Sequence, residues 1–183
     1  MIIGAHRDHF GRQAGLVFPG ADDNASGTAV LLEVARLFAE SGLSPKRSLL
    51  FVSFSGEEQG LLGSRLYVDH PTRPLANTVA MINIDHAGIG NGRLTVGVTG
   101  LDKSQAAKAG EHAGAGDRVD LFGFFPGGDH VPFKEAGVPT ITIVSGGPHP
   151  HFHQPSDGSH TVRPEILELT VRYVVALAWQ LAN

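Results

Sequence analysis

Cysteine is absent from all 183 residues. That excludes disulfides and thiolate metal sites, so any metal held by this chain is held by imidazole and carboxylate. A strong charge of one sign is also lacking. The formal net charge is −4, which gives no footprint for nucleic acid or for an anionic membrane surface. No apolar run approaches the roughly 18 residues of a membrane-spanning helix. No basic segment followed by an apolar stretch opens the chain, so no signal peptide is visible and the compartment stays open. Internal repeats, linkers and low-complexity tracts are missing too, and one domain over 1–183 is the expectation for this length.

What remains is an ordinary globular composition, 42% hydrophobic and 17% charged, with one excess: 10 histidines. Apolar runs alternate with amphipathic segments. Strands are predicted at 2–5, 48–54, 79–84, 93–99, 119–122 and 139–144, and helices at 26–40, 60–68, 101–113, 130–136 and 164–181. In the first long helix Leu31, Val34, Ala35 and Phe38 share one face, and in the last Leu167, Val171, Val174, Ala178 and Leu181 do. The run at 48–54 is continuously apolar, which predicts a strand covered on both faces. The pattern predicts a three-layer α/β/α sandwich around a mostly parallel mixed sheet. The first strand starts at the initial Met1 and runs into His6. It predicts a trimmed or minimal form of its fold, with an exposed sheet edge or uncovered apolar face and possible self-association into a homo-oligomer.

Metal-ligand residue types fall where open α/β sheets place their sites, beyond the carboxyl ends of strands. His6 and Asp23 follow the first strand, Glu57 and Glu58 the strand at 48–54, Asp85 the strand at 79–84, and His153 the strand at 139–144. Each has an ordinary alternative: Asp22-Asp23-Asn24 or Ser26 as a helix cap, Glu57-Glu58 as an acidic first turn, Asp85 as a turn residue. Five such residues at strand ends are hard to assign to accident. His6, Asp23, Glu58, Asp85 and His153 are the inventory two divalent cations sharing one carboxylate need, and Glu57 is placed as base toward a water between them.

The motifs carry a resemblance. Gly4-Ala-His-Arg-Asp8, Pro19-Gly-Ala-Asp-Asp-Asn-Ala-Ser-Gly27, Gly56-Glu-Glu-Gln-Gly-Leu-Leu-Gly-Ser64, Asn83-Ile-Asp85, Asp129-His-Val-Pro-Phe133 and His153-Gln-Pro-Ser-Asp157 resemble, in order, the motifs of the M28 zinc peptidases. The resemblance covers nearly the whole chain and implies two zinc ions. Asp23 rather than Asp22 would bridge them, His6 and Asp85 would complete one site, and Glu58 and His153 the other. Glu57 would be the general base and acid, and Asp8 would hold the far ring nitrogen of His6. The implied substrate is a peptide with a free N-terminus, its residue preference set by an apolar pocket drawn from Phe124, Phe125, Phe133 and Phe152.

Three departures stand out. Gln154 replaces a common Thr, His86 follows Asp85 where an apolar residue is usual, and the only tyrosines, Tyr67 and Tyr173, fall in predicted helices. His149, His151 and His153 alternate, so an extended segment would turn all three to one side, with the motif favouring His153. His130 is open between a pocket residue and a helix-start residue. Three other readings share this inventory. An M20-type carboxypeptidase or deacylase needs a lid domain for which the 85–153 gap is short. A glutaminyl cyclase-like transferase would keep one zinc, and a non-catalytic module would have lost ligands.

Overall fold

A computed structural model describes all 183 residues. In chain order the elements are β1 (Ile2–His6), a hairpin of β2 (Gly11–Gln13) and β3 (Leu16–Phe18), α1 (Gly27–Glu40), β4 (Leu50–Phe54), α2 (Leu62–Asp69), β5 (Met81–Ile84), β6 (Leu94–Thr99), α3 (Lys103–His112), β7 (Val119–Phe122), α4 (His130–Glu135), β8 (Thr140–Ser145) and α5 (Pro164–Ala182). Six strands form one sheet in the order β4-β1-β5-β8-β6-β7. All neighbours run parallel except β6 and β8. The mixed, mostly parallel sheet of the sequence reading is therefore present. No helix is long and apolar enough to cross a membrane.

Alternate residues of each strand feed opposite faces, as a period of two requires. Ile3, Ala5, Ile82, Ile84, Ile141 and Ile143 pack with α1, α3 and α5 into the main core. Ile2, Phe54 and Met81 point the other way and meet Phe133 of α4 in a small second core. Helices thus cover both faces, thickly on one side and thinly on the other.

One expectation is corrected. The strand at 48–54 is not covered on both faces: β4 is an edge strand, half-exposed along most of its length. A continuous apolar run cannot separate these cases, because α2 shields only part of the second face. β1 lies between β4 and β5, buried at every position, and the free edges of the sheet are β4 and β7. The hairpin β2–β3 was not foreseen; it turns through Ala14 and Gly15, both at positive φ.

The parallel run β4-β1-β5-β8 brings four carboxyl ends to one rim of the sheet. β5 is tied to the turn before α1 by Asn24 Nδ2 donating to the Ile84 carbonyl at 3.0 Å and Ala87 N–H donating to Ser26 Oγ at 2.8 Å. Gly27 is required here: a Cβ would lie 2.6 Å from the Ile84 carbonyl oxygen and 2.3 Å from Asn24 Oδ1.

Candidate metal centre

His6 ends β1 almost fully buried, at 1% exposure. Its Nδ1 lies 3.1 Å from the main-chain carbonyl of Asp8. A carbonyl only accepts, so Nδ1 carries the proton, and in the neutral ring the Nε2 lone pair faces the cleft. Nε2 lies 3.4 Å from Asp23 Oδ1 and 3.3 Å from Asp85 Oδ1. Asp8 meets this ring nitrogen through its main chain: its carboxylate stands 3.7 Å from the ring and accepts Glu57 N–H at 3.4 Å. The chain turns back after β1, which brings the backbone oxygen, not the side chain, under the imidazole.

Asp23 is at the centre. Its Oδ1 faces His6, while Oδ2 lies 3.0 Å from His153 Nε2 and 3.2 Å from His86 Nε2. Its freedom to face inward has a local cause. The capping work falls to Asn24, whose Oδ1 accepts Gly27 N–H at 3.0 Å, and Ser26 caps nothing. Asp22 is occupied elsewhere, accepting Gly88 N–H at 2.9 Å and facing His149 Nδ1 at 2.5 Å. Asp23, and not Asp22, therefore lines the cleft. Asp157, fully buried, accepts the Asp22 and Asp23 amides and holds that turn in place.

On the Oδ2 side, His153 Nε2 lies 3.5 Å from Glu58 Oε2. Glu57 groups with His6 and Asp85, ligand atoms within 4.8 Å of one another. All five expected ligands and Glu57 thus converge on one cleft of about 340 Å³, walled by Phe125, Phe152, Thr142 and the Gly127-Gly128 turn. Phe133 lies in the core instead, and Phe124 is outside the cleft beside Lys134, 4.0 Å from its Nζ.

Charge in the cleft is one-sided. Asp23, Glu57, Glu58 and Asp85 line it, and no Lys or Arg does. Burial would push Asp23 up, but pairing with His6 and His86 holds it well below the usual carboxylate range. Burial disfavours the His6 cation, yet hydrogen bonds to Asp23 and Asp85 raise it to about 12. Burial lifts Glu57 and Glu58 to about 7, with neighbouring carboxylates adding to it. Carboxylates gathered without Lys or Arg, beside imidazole nitrogens that face inward, form a donor set suited to a divalent metal.

The alternating histidines are corrected. Their segment is turned rather than extended, with His153 at φ +55, and each ring goes its own way. His149 binds Asp22 and the Ser145 carbonyl, His151 binds Ser156, and His153 alone enters the cluster. His130 starts α4 and its Nε2 meets the Phe125 carbonyl at 2.8 Å, so it pins the loop walling the cleft. Neither tyrosine lines it. Two histidines missed as site residues also reach the cluster. His86 does so from a strained position at φ +40, and His9 lies 2.5 Å from Glu58. The spacing His6-x-x-His9 was the only signal for the latter.

An open α/β sheet with this cluster at its strand ends has the layout of a metallopeptidase-type domain. The model for Peptidase family M28 matches residues 1–178, and the chain belongs to that family. It is 31% identical over 173 residues to Aminopeptidase YwaD of Bacillus subtilis, an alignment covering 88% of this chain and 38% of that protein. Among solved structures it resembles BSAP, a zinc aminopeptidase from Bacillus subtilis, with a TM-score of 0.81 at 31% identity over 97% of this chain and 45% of that one. The Legionella pneumophila LapA aminopeptidase superposes with a TM-score of 0.83 at 26% identity over 99% of this chain and 50% of that one. The chain therefore spans half or less of the length of these three proteins.

Proposed function

We propose that this chain is the catalytic domain of a zinc-dependent aminopeptidase that holds two zinc ions and removes N-terminal residues from peptides. The observation that carries this reading is the division of Asp23. One oxygen faces His6 beside Asp85, and the other faces His153 beside Glu58. Two histidine–carboxylate pairs on either side of one shared carboxylate suit two ions bridged by Asp23. Bound zinc supplies Lewis acidity that acidifies water and polarises a carbonyl.

The remaining work belongs to side chains. Glu57 has no place in the Glu58–His153 pair and borders the open cleft, so its carboxylate accepts the proton of the attacking water and returns it to the leaving amine nitrogen. Asp8, through its backbone oxygen, fixes the tautomer of His6 and, through its side chain, the loop carrying Glu57. Phe125 and Phe152 give the cleft an apolar wall suited to Leu, Met or Phe at the substrate's first position. The printed names of the relatives, aminopeptidase and zinc aminopeptidase, support the same reaction.

The test is a panel of aminoacyl-nitroanilides, each free and Nα-acetylated. Cleavage confined to the free amines, fastest for Leu, Met or Phe, is expected. Equal rates on blocked and free substrates would remove the aminopeptidase assignment.

A further inference from the structure

We propose that His9 is an additional protein ligand to the ion on the Glu58–His153 side of Asp23, making that site richer in protein ligands than the other. The proposal rests on the two-ion reading above and adds to it a residue outside the expected ligand set. His9 lies three residues beyond His6, on the turn from β1 into the hairpin, and its side chain is only 5% exposed. It packs against Gly20, where a Cβ would lie 2.6 Å from His9 Cβ and Cγ. The ring therefore has little freedom to swing away.

Its polar atoms are the anomaly. Both ring nitrogens are buried and neither has a hydrogen-bond partner. A buried unpaired imidazole nitrogen is costly and calls for an explanation. Nδ1 lies 2.5 Å from Glu58 Oε1 and 3.9 Å from Asp23 Oδ2. The short contact lacks hydrogen-bond geometry, and Glu58 Oε1 is itself buried without a partner. Two electron-rich atoms this close repel unless a proton or a cation lies between them. His9, Asp23 and Glu58 offer ligand atoms all within 4.8 Å of one another. His86 differs in place: its Nε2 lies beside Asp23 and Asp85 and not beside Glu58.

The consequence is an asymmetric pair. On the Oδ1 side the protein offers His6, Asp85 and Asp23. On the Oδ2 side it offers Glu58, His153, Asp23 and His9. A set of four protein ligands is the mark of a closed site, whereas three leave a position open. The inference makes the Oδ2 side the tighter, closed site and leaves the Oδ1 side, beside Glu57, open to water and substrate.

Zinc and cobalt(II) binding to the whole chain, followed by chelator competition and by cobalt visible absorption, tests this. Wild type, His9→Gln, His9→Gly and the reference His153→Ala are compared. Two sites of unequal affinity are expected in wild type. Both His9 variants should weaken the tighter site by about 100-fold or more and change its cobalt spectrum, and added imidazole should restore His9→Gly. Unchanged affinity and spectrum in both variants would overturn the inference while leaving two ions in place. So would a loss in His9→Gly that imidazole fails to restore. No binding in wild type would instead overturn the two-ion reading itself.

Discussion

Removal of Asp157 should damage the site without deleting a candidate ligand. Its carboxylate is fully buried, and it accepts Asp22 N–H at 2.9 and 3.1 Å through its two oxygens and Asp23 N–H at 3.2 Å. Replacement by Ala leaves two backbone donors buried without a partner. At about 1–3 kcal/mol each, the cost is about 2–6 kcal/mol, a large share of the roughly 5–15 kcal/mol that stabilises a domain. Asp157→Asn keeps one acceptor oxygen and should cost about half as much by the same reckoning. Both variants loosen the turn that aims Asp23, so zinc affinity should fall by about 10–100-fold, as it does when supporting groups behind ligands are removed. Urea denaturation in the presence of chelator reads the first effect, and chelator competition reads the second. An Asp157→Ala protein within about 1 kcal/mol of wild type and unchanged in zinc affinity would refute the claim that these hydrogen bonds position Asp23.

Other outcomes follow from the same geometry. Glu57→Gln should nearly abolish turnover with metal content intact, whereas Glu58→Gln should weaken one metal site; elemental analysis with kinetics checks this, and the reverse pattern would exchange the two roles. His130 is held below its ordinary pKa of 6.5 by burial. As pH falls through that value the unfolded chain takes up the proton first, so the stability tied to a neutral His130 is complete above it and declines below it. His130→Gln should therefore flatten the fall of Tm with acid in the metal-free protein, and parallel curves would contradict this. The free edge of β4, with Leu62 and Leu66 exposed on the neighbouring α2, should favour self-association; sedimentation showing a monomer at high concentration would count against it.

The parts of the site that strand position controls were legible in the sequence. His6, Glu58, Asp85 and His153 each follow an apolar run, and a parallel sheet gathers such positions without further information. Less legible was whatever depends on what lies beside a strand or on how a loop turns. The 48–54 run reads the same at an edge as in the middle. Histidines 149, 151 and 153 share a side only in an extended chain, and the turned backbone at His153 separates them. Asp8 supports His6 through a main-chain oxygen, which no residue type announces. His9 and His86 carry the right chemistry, but only the folded β1–hairpin turn and the strained backbone after Asp85 bring their rings to Glu58 and Asp23.

Anomalous diffraction at the zinc edge, from crystals grown with zinc, tests the central claim most directly. Two peaks are expected, about 3.5–4 Å apart, one between Asp23 Oδ1, His6 and Asp85 and the other between Asp23 Oδ2, Glu58 and His153. A map with no peak at Asp23, or a single peak on one side of it at saturating zinc, would contradict the bridged two-ion centre.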